Sequence, residues 1–473
     1  MESEASNFHV QVLESSLIAP SSPTPRKGLW LSSLDIVQAK KGHVPLIYLY
    51  SPPKDAAAAA DGFFDVARLK AAMAQALVAF YPLAGRLAVN GGDGRVEIDC
   101  NDEGALFVVA RADKLTADDV KGFKPSPELR RLFVPRIQPA SIILAIQVTF
   151  LKCGGVVLGT ALHHTTVDAT STFHFIQTWS AFSKHGDHAA AVVELPCHDR
   201  TLLRARSPPR VDPDALSTLY TRQVVTDPSG PISTEVFAIS GGQVASLKRL
   251  CGGGTTSTFC AVSALVWQCA CLARRLPPDS PVRLMFPADF RSRARPPLPS
   301  KYFGNAVFSL RATGVAGAIG AMALGAIATR IKDTVKRMDE DEELVRSAID
   351  YFETAAAKVD DSSRPSWTGV TLPLTDLSIT SWLGRPQYDA DFGWGKPELM
   401  SRAESRGGFV LLWSNEGKAG GGGDSDDAVR VLVGMEAVNI KELGRLIYAK
   451  LEQVAACGGA PAASKDVRLQ TRL

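Results

Sequence analysis

Nowhere does this chain run apolar for the roughly eighteen residues that a membrane-spanning helix needs. The Ala/Gly-rich stretch around 314–328 comes nearest, but it is short of large apolar side chains and soon reaches Arg330 and Lys332. Net charge is scarce as well. Lysines and arginines number 52 against 49 acidic residues, a balance of +3 at pH 7 that is too small to argue for nucleic acid. The glycine fingerprints of phosphate-binding loops and dinucleotide folds are missing, and so is the Gly-x-Ser-x-Gly elbow of a nucleophilic serine. The opening MESEASNFHVQV is acidic and polar where a secretory leader would be basic and then apolar. The expectation is therefore a cytoplasmic protein without a membrane span. Cysteines are present (Cys100, Cys153, Cys197, Cys251, Cys260, Cys269, Cys271 and Cys457) but scattered, several in apolar surroundings, which suits reduced thiols. Cys269 and Cys271, two apart in an apparent helix, make a poor metal pair. His185, His188 and His198 have no acidic or cysteine pattern around them to complete a zinc site, so no metal is expected.

What remains is an ordinary globular composition, 45% hydrophobic and 21% charged, spread over 473 residues. That length predicts two domains rather than one core. Strand-like alternation opens the chain in FHVQVLESSLI and returns in VPLIYLY, 44–50, whereas 64–80 has helical spacing. The segments 141–150 and 154–164 read as neighbouring strands linked through glycines. A Pro-rich interval with no sustained periodicity, 185–216, is the best domain linker, dividing the chain into 1–184 and 217–473. Beyond it come a glycine turn, the apolar helix candidate TFCAVSALVWQCACLARRL, and one or two long helices over 323–357. The late strands GFVLLW and VRVLVGMEA follow, separated by GKAGGGGDSDD, which reads as an exposed flexible loop, and a final amphipathic helix closes the pattern. The sum is a mixed α/β protein without a regular strand–helix–strand repeat.

Three segments carry candidate chemistry. In His163-His164-Thr165-Thr166-Val167-Asp168, an imidazole stands at a strand-to-loop boundary, a natural place for a general base. Asp168, four residues on, could orient that imidazole or fix the turn by pairing elsewhere; His163 should face the other way. In the stretch Tyr388 to Pro397, glycines beside Trp394 make a demanding turn that Asp391 could brace, and just upstream Thr380 and Trp382 offer a hydroxyl and an indole donor to a developing oxyanion. In Asp289 to Pro299, Arg291, Arg293 and Arg295 could meet phosphates, pair with an acid across the fold, or face solvent.

Together these segments resemble the plant BAHD family of acyl-CoA-dependent acyltransferases. His164 to Asp168 looks like the family's HxxxD motif, and Asp391-Phe392-Gly393-Trp394-Gly395 is its DFGWG motif. The likeness extends to LSSLD at 31–35, FYPLAGRL at 80–87 and YFGN at 302–305, and is nearest to the hydroxycinnamoyltransferase branch. It implies two similar chloramphenicol-acetyltransferase-like α/β domains with mixed sheets, joined by a crossover loop and separated by a channel. It also implies a monomer that uses acyl-CoA as co-substrate and holds no permanent cofactor. His164 would be the base. Asp168 would be structural, paired with Arg291, and Asp391, Gly393 and Trp394 would shape the fold from a distance. Thr380 and Trp382 would lie near acceptor and oxyanion, Ser257 and Thr258 near the CoA arm, and His43 near the acceptor. Shikimate- and quinate-using relatives carry an arginine where this chain has Gly384, with Arg385 one residue along. A one-residue slip reverses facing in an extended segment. The expectation is therefore hydroxycinnamoyl transfer to an amine such as a polyamine or arylamine, with a shikimate-like alcohol as the alternative acceptor. A non-catalytic interaction protein of the same fold is the rival from another class.

Overall fold

The computed structural model describes residues 8–52, 62–219, 225–356, 370–414 and 428–458. The glycine-rich stretch GKAGGGGDSDD and the last fifteen residues of the chain lie outside them. Two six-stranded mixed sheets organise the chain. In spatial order the first runs β1 (Gln11–Ile18), β6 (Ala105–Ala112), β7 (Leu144–Leu151), β8 (Val156–His163), β3 (His43–Tyr50) and β13 (Leu399–Arg402). The second runs β11 (Val307–Val315), β10 (Pro281–Asp289), β12 (Asp376–Ser381), β14 (Phe409–Ser414), β15 (Val429–Glu436) and β9 (Ile232–Ile239). A small sheet of β2 (Lys27–Trp30), β5 (Val96–Cys100) and β4 (Arg86–Val89) stands apart.

Alternation along the strands decides what each sheet faces. On β14, Val410 and Leu412 turn toward the helices Thr258–Ala273 and Ala437–Gly458 and join the core of the second domain. The intervening Phe409, Leu411 and Trp413 turn the other way and join Tyr48, Leu158 and Leu162 of the first sheet. Helix Thr258–Ala273 is apolar almost all round because it is enclosed on nearly every side. The long helical stretch expected over 323–357 is two helices, Leu324–Glu340 and Glu342–Ala356. Among the described residues no helix is long and apolar enough to cross a membrane.

Two features depart from a simple division along the chain. Strand β13, from the later part of the sequence, pairs antiparallel with β3 and forms an edge of the first sheet. The interval 185–216 is not a bare tether: its Arg200 is 1% exposed and pairs with Asp35. Close packing also explains one glycine. A Cβ on Gly159 of β8 would stand 1.7 Å from the carbonyl oxygen of Phe133, where helix Pro127–Phe133 ends against the sheet. Gly159→Ala is expected to destabilise the protein by about 1–3 kcal/mol through overpacking, measured as a lower denaturation midpoint with unchanged slope.

Candidate active site

Strand β8 is buried along its whole length and ends at His163. Register places His163 directly opposite His43, and the two rings meet edge to face with centroids 4.8 Å apart. His163 Nδ1 lies 2.5 Å from the Thr165 hydroxyl, and His43 Nε2 lies 2.7 Å from the Ile142 carbonyl. Both imidazoles occupy the face that carries Ile47, Leu49, Val157 and Ala161. His164, one residue on, is directed to the opposite face, with Leu46, Leu162 and the aromatic cluster between the sheets.

Main-chain bonds hold His164. Its N–H donates to the Gly42 carbonyl and its carbonyl accepts from Asn305 Nδ2, both at 2.9 Å. Its Nδ1 is buried and has no hydrogen-bond partner among the described residues. Burial, aided by the positive charge of Lys41, pushes the imidazole pKa down to about 3, against a smaller opposing pull from Asp168. His164 is therefore neutral, with a lone pair to offer, throughout the neutral range.

Of the two roles open to Asp168, the geometry gives it the second. It pairs with Arg291 at 2.8 Å, accepts the N–H groups of Ser171 at 3.0 Å and Ala306 at 3.1 Å, and caps helix Ala169–His185. Burial opposes its charge, but Arg291 and these N–H donors outweigh it and hold the carboxyl below its usual range. Arg291 reaches on to the Gly304 carbonyl at 3.0 Å. Beside this knot lies another. Asp35 pairs with Arg200 at 2.8 Å and accepts from the Asn305 main chain and side chain at 2.9 Å. Arg200 also donates to the Thr166 carbonyl at 2.8 Å. Asp35, Arg200 and Asn305 received no role from sequence reasoning. A carboxylate and an amide inside the otherwise apolar or small runs LSSLD and YFGN were the available signal; nothing in the chain around Arg200 marked it.

The DFGWG turn is an anchor. Asp391 accepts from the N–H groups of Gly393 and Gly395 at 2.9 Å and pairs with Lys184 at 2.7 Å. Gly393 takes φ +107°, which favours glycine. Phe392 is buried against Tyr50, Phe64 and Trp179, and Trp394 lies beneath the Arg68 guanidinium at 4.5 Å. All these partners belong to the first domain, so the turn clamps the later chain onto it.

From the opposite sheet, Thr380 on β12 pairs with Leu411 in register and shares its inward face. Trp382 is 5% exposed and packs edge to face on Phe173 at 5.5 Å. Arg385 donates to Thr170 at 2.7 Å and pairs with Asp289 at 3.1 Å. Ser257 caps helix Thr258–Ala273, its hydroxyl accepting from the Cys260 N–H at 3.1 Å at the exposed start of that helix. The structure thus brings His164, Thr380 and Trp382 to the space between the sheets, sets His43 on the reverse face of the first sheet, and commits Arg385 to the domain junction.

The imidazoles set a pH dependence of stability. His43, His163, His164 and His198 all have folded pKa values pushed by burial to about 3 or 4, below the ordinary 6.5. The unfolded chain therefore binds protons that the folded chain refuses once pH drops below about 6.5. The melting temperature should be flat between pH 8 and 7 and fall steadily below 6.5. A rise over that lower range would contradict the buried neutral imidazoles.

A family model described as "Transferase family" matches residues 8–435. Putrescine hydroxycinnamoyltransferase 1 of Oryza sativa subsp. japonica is 40% identical over 460 residues, covering 94% of this chain and 99% of its own. A hydroxycinnamoyl-CoA:5-hydroxyanthranilate N-hydroxycinnamoyltransferase of Avena sativa is 37% identical over 464 residues, covering 93% and 99%. Among solved structures, vinorine synthase matches with a TM-score of 0.68 at 24% identity, over 93% of this chain and 98% of its own.

Proposed function

The chain belongs to the BAHD family of acyl-CoA-dependent acyltransferases, and from that premise we propose that it moves a hydroxycinnamoyl group from its CoA thioester to an amine, with His164 as general base. The observation that carries this reading is the buried imidazole of His164 at the end of β8, its Nδ1 without a hydrogen-bond partner among the described residues and burial keeping it neutral. His164 takes the proton from the acceptor as its nitrogen attacks the thioester carbonyl. The tetrahedral oxyanion is steadied by the Trp382 indole N–H or the Thr380 hydroxyl. Collapse breaks the carbon–sulfur bond, and the imidazolium returns its proton to the CoA thiolate. Acyl-CoA is a co-substrate, and Ser257 and Thr258, at an exposed helix start, lie along its arm. The enzyme works as a monomer without a resident cofactor.

Hydroxycinnamoyl transfer to nitrogen is supported by relatives whose names specify putrescine and 5-hydroxyanthranilate. O-acylation of a shikimate-like alcohol is the second reading. Against it stands Arg385, bound to Thr170 and Asp289 rather than presented to an acceptor. The test is incubation with p-coumaroyl-CoA and a pooled set of amines, shikimate, quinate and simple alcohols, with products identified by mass spectrometry. An amide is the expected product; a shikimate ester would select the second reading. An intact thioester with every acceptor would oppose both.

A further inference from the structure

The segment that carries Trp382 is fastened in a way the mechanism above does not use. Strand β12 ends at Ser381, and one further main-chain bond, from the Trp382 N–H to the Leu412 carbonyl at 2.7 Å, ties the segment to the sheet. The chain then turns. The Arg385 N–H donates to the Trp382 carbonyl at 3.0 Å, and Gly384 takes φ +69°, the left-handed conformation that such a turn requires at its third position. Trp382 and Arg385 therefore stand at the two ends of one tight turn. Where the indole lies depends on how that turn is held.

Both ends of the turn reach the same helix. Trp382 packs on Phe173, and the Arg385 guanidinium donates to the Thr170 hydroxyl at 2.7 Å. Thr170 and Phe173 are three apart on helix Ala169–His185 and so are neighbours on its surface. The second arm of the guanidinium meets Asp289 at 3.1 Å, and the same carboxylate oxygen accepts from Thr170 at 3.2 Å and from Arg291 at 3.1 Å. Arg291 in turn pairs with Asp168, the cap of that helix, four residues beyond His164. A chain of two arginines and two carboxylates thus runs from the Trp382 turn to the turn that follows the base. Its charges balance, and a planar fork held at both arms fixes direction as well as distance.

We propose that Arg385 is a positioning residue for acyl transfer: seated on Thr170 and Asp289, it holds the Trp382 indole in place relative to the turn that follows His164. The inference rests on the acyl-transfer reading and adds to it a residue that touches neither acceptor nor CoA. Arg385 acts through Trp382. Loosening the seat leaves every reacting group present but lets the indole wander, and a displacement of about 1 Å is enough to cost up to about 10²-fold in rate.

The test is steady-state kinetics of the full chain with p-coumaroyl-CoA and, in turn, putrescine, tryptamine, shikimate and quinate, taking the acceptor with the highest kcat/KM. Arg385→Met is expected to lower kcat by about tenfold to a hundredfold at a temperature well below its own melting point. The KM for p-coumaroyl-CoA should stay within about twofold. Trp382→Phe should lower kcat too, and the double variant should be no slower than Trp382→Phe by more than about threefold, because without the indole Arg385 has nothing to place. Thr170→Val, which removes one partner and leaves the arginine, should show a smaller loss of the same kind and carries the test if Arg385→Met does not fold. Losses that multiply in the double variant overturn the proposal, since Arg385 would then act independently of Trp382. So does a lower melting temperature with kcat unchanged, which is a structural role alone. A rise in KM confined to shikimate and quinate makes Arg385 an acceptor contact and overturns it as well. All three leave acyl transfer standing, whereas a wild-type protein that leaves the thioester intact with every acceptor overturns the acyl-transfer reading itself.

Discussion

Replacing His164 with alanine should lower kcat about 10²- to 10⁴-fold, the usual contribution of a positioned general base, while leaving the melting temperature almost unchanged. The separation of the two effects follows from how the residue is held. Its structural bonds, to Gly42 and from Asn305, are made by the main chain and survive the substitution. Its buried Nδ1 has no partner among the described residues, so truncation strands no donor or acceptor. His163→Ala should show the reverse pattern, because that ring bonds Thr165 and packs on His43. Steady-state turnover and thermal melts of the two variants side by side decide the matter. His164→Ala retaining wild-type kcat within about threefold would place the base elsewhere.

The second large effect concerns Arg200. Its guanidinium pairs with Asp35, and both side chains have no solvent exposure. Removing one member of a buried pair typically costs about 3–5 kcal/mol because the other charge is left uncompensated. Here Asp35 keeps donors from Ser32 and Asn305, so Arg200→Ala should fall toward the lower part of that range. Denaturant unfolding would measure it. Turnover should fall as well, since Arg200 supports the Thr166 carbonyl in the turn that follows His164, and Asn305 ties Asp35 to His164 directly. A double variant, Asp35→Asn with Arg200→Met, should lose less than the two single losses added together. Strict additivity would mean that the pair is not coupled and that the cost of Arg200→Ala has another source.

The chain's own pattern determined a good deal. Periodicity separated strands from helices because a strand alternates every two residues and a helix turns every 3.6, and both rhythms are local. The position of His164 at a strand end, and His163 facing away from it, followed from the same alternation. The demanding turn at Gly393 was legible because glycine conformations are written into a few consecutive residues. Only the tertiary structure decided the rest. Asp168 stands four residues from His164, yet its carboxylate is taken up by Arg291, Ser171 and Ala306, two of which arrive from the other domain. Arg385 could not be told from an acceptor clamp until Asp289 and Thr170 closed on it. Arg200 lay in a stretch that reads as linker, and Arg402 comes to lie opposite Leu46 only because β13 crosses to the first sheet. Sequence order records neighbours along the chain, whereas charges and hydrogen bonds act over a few ångströms through space, and folding alone brings distant residues within that range.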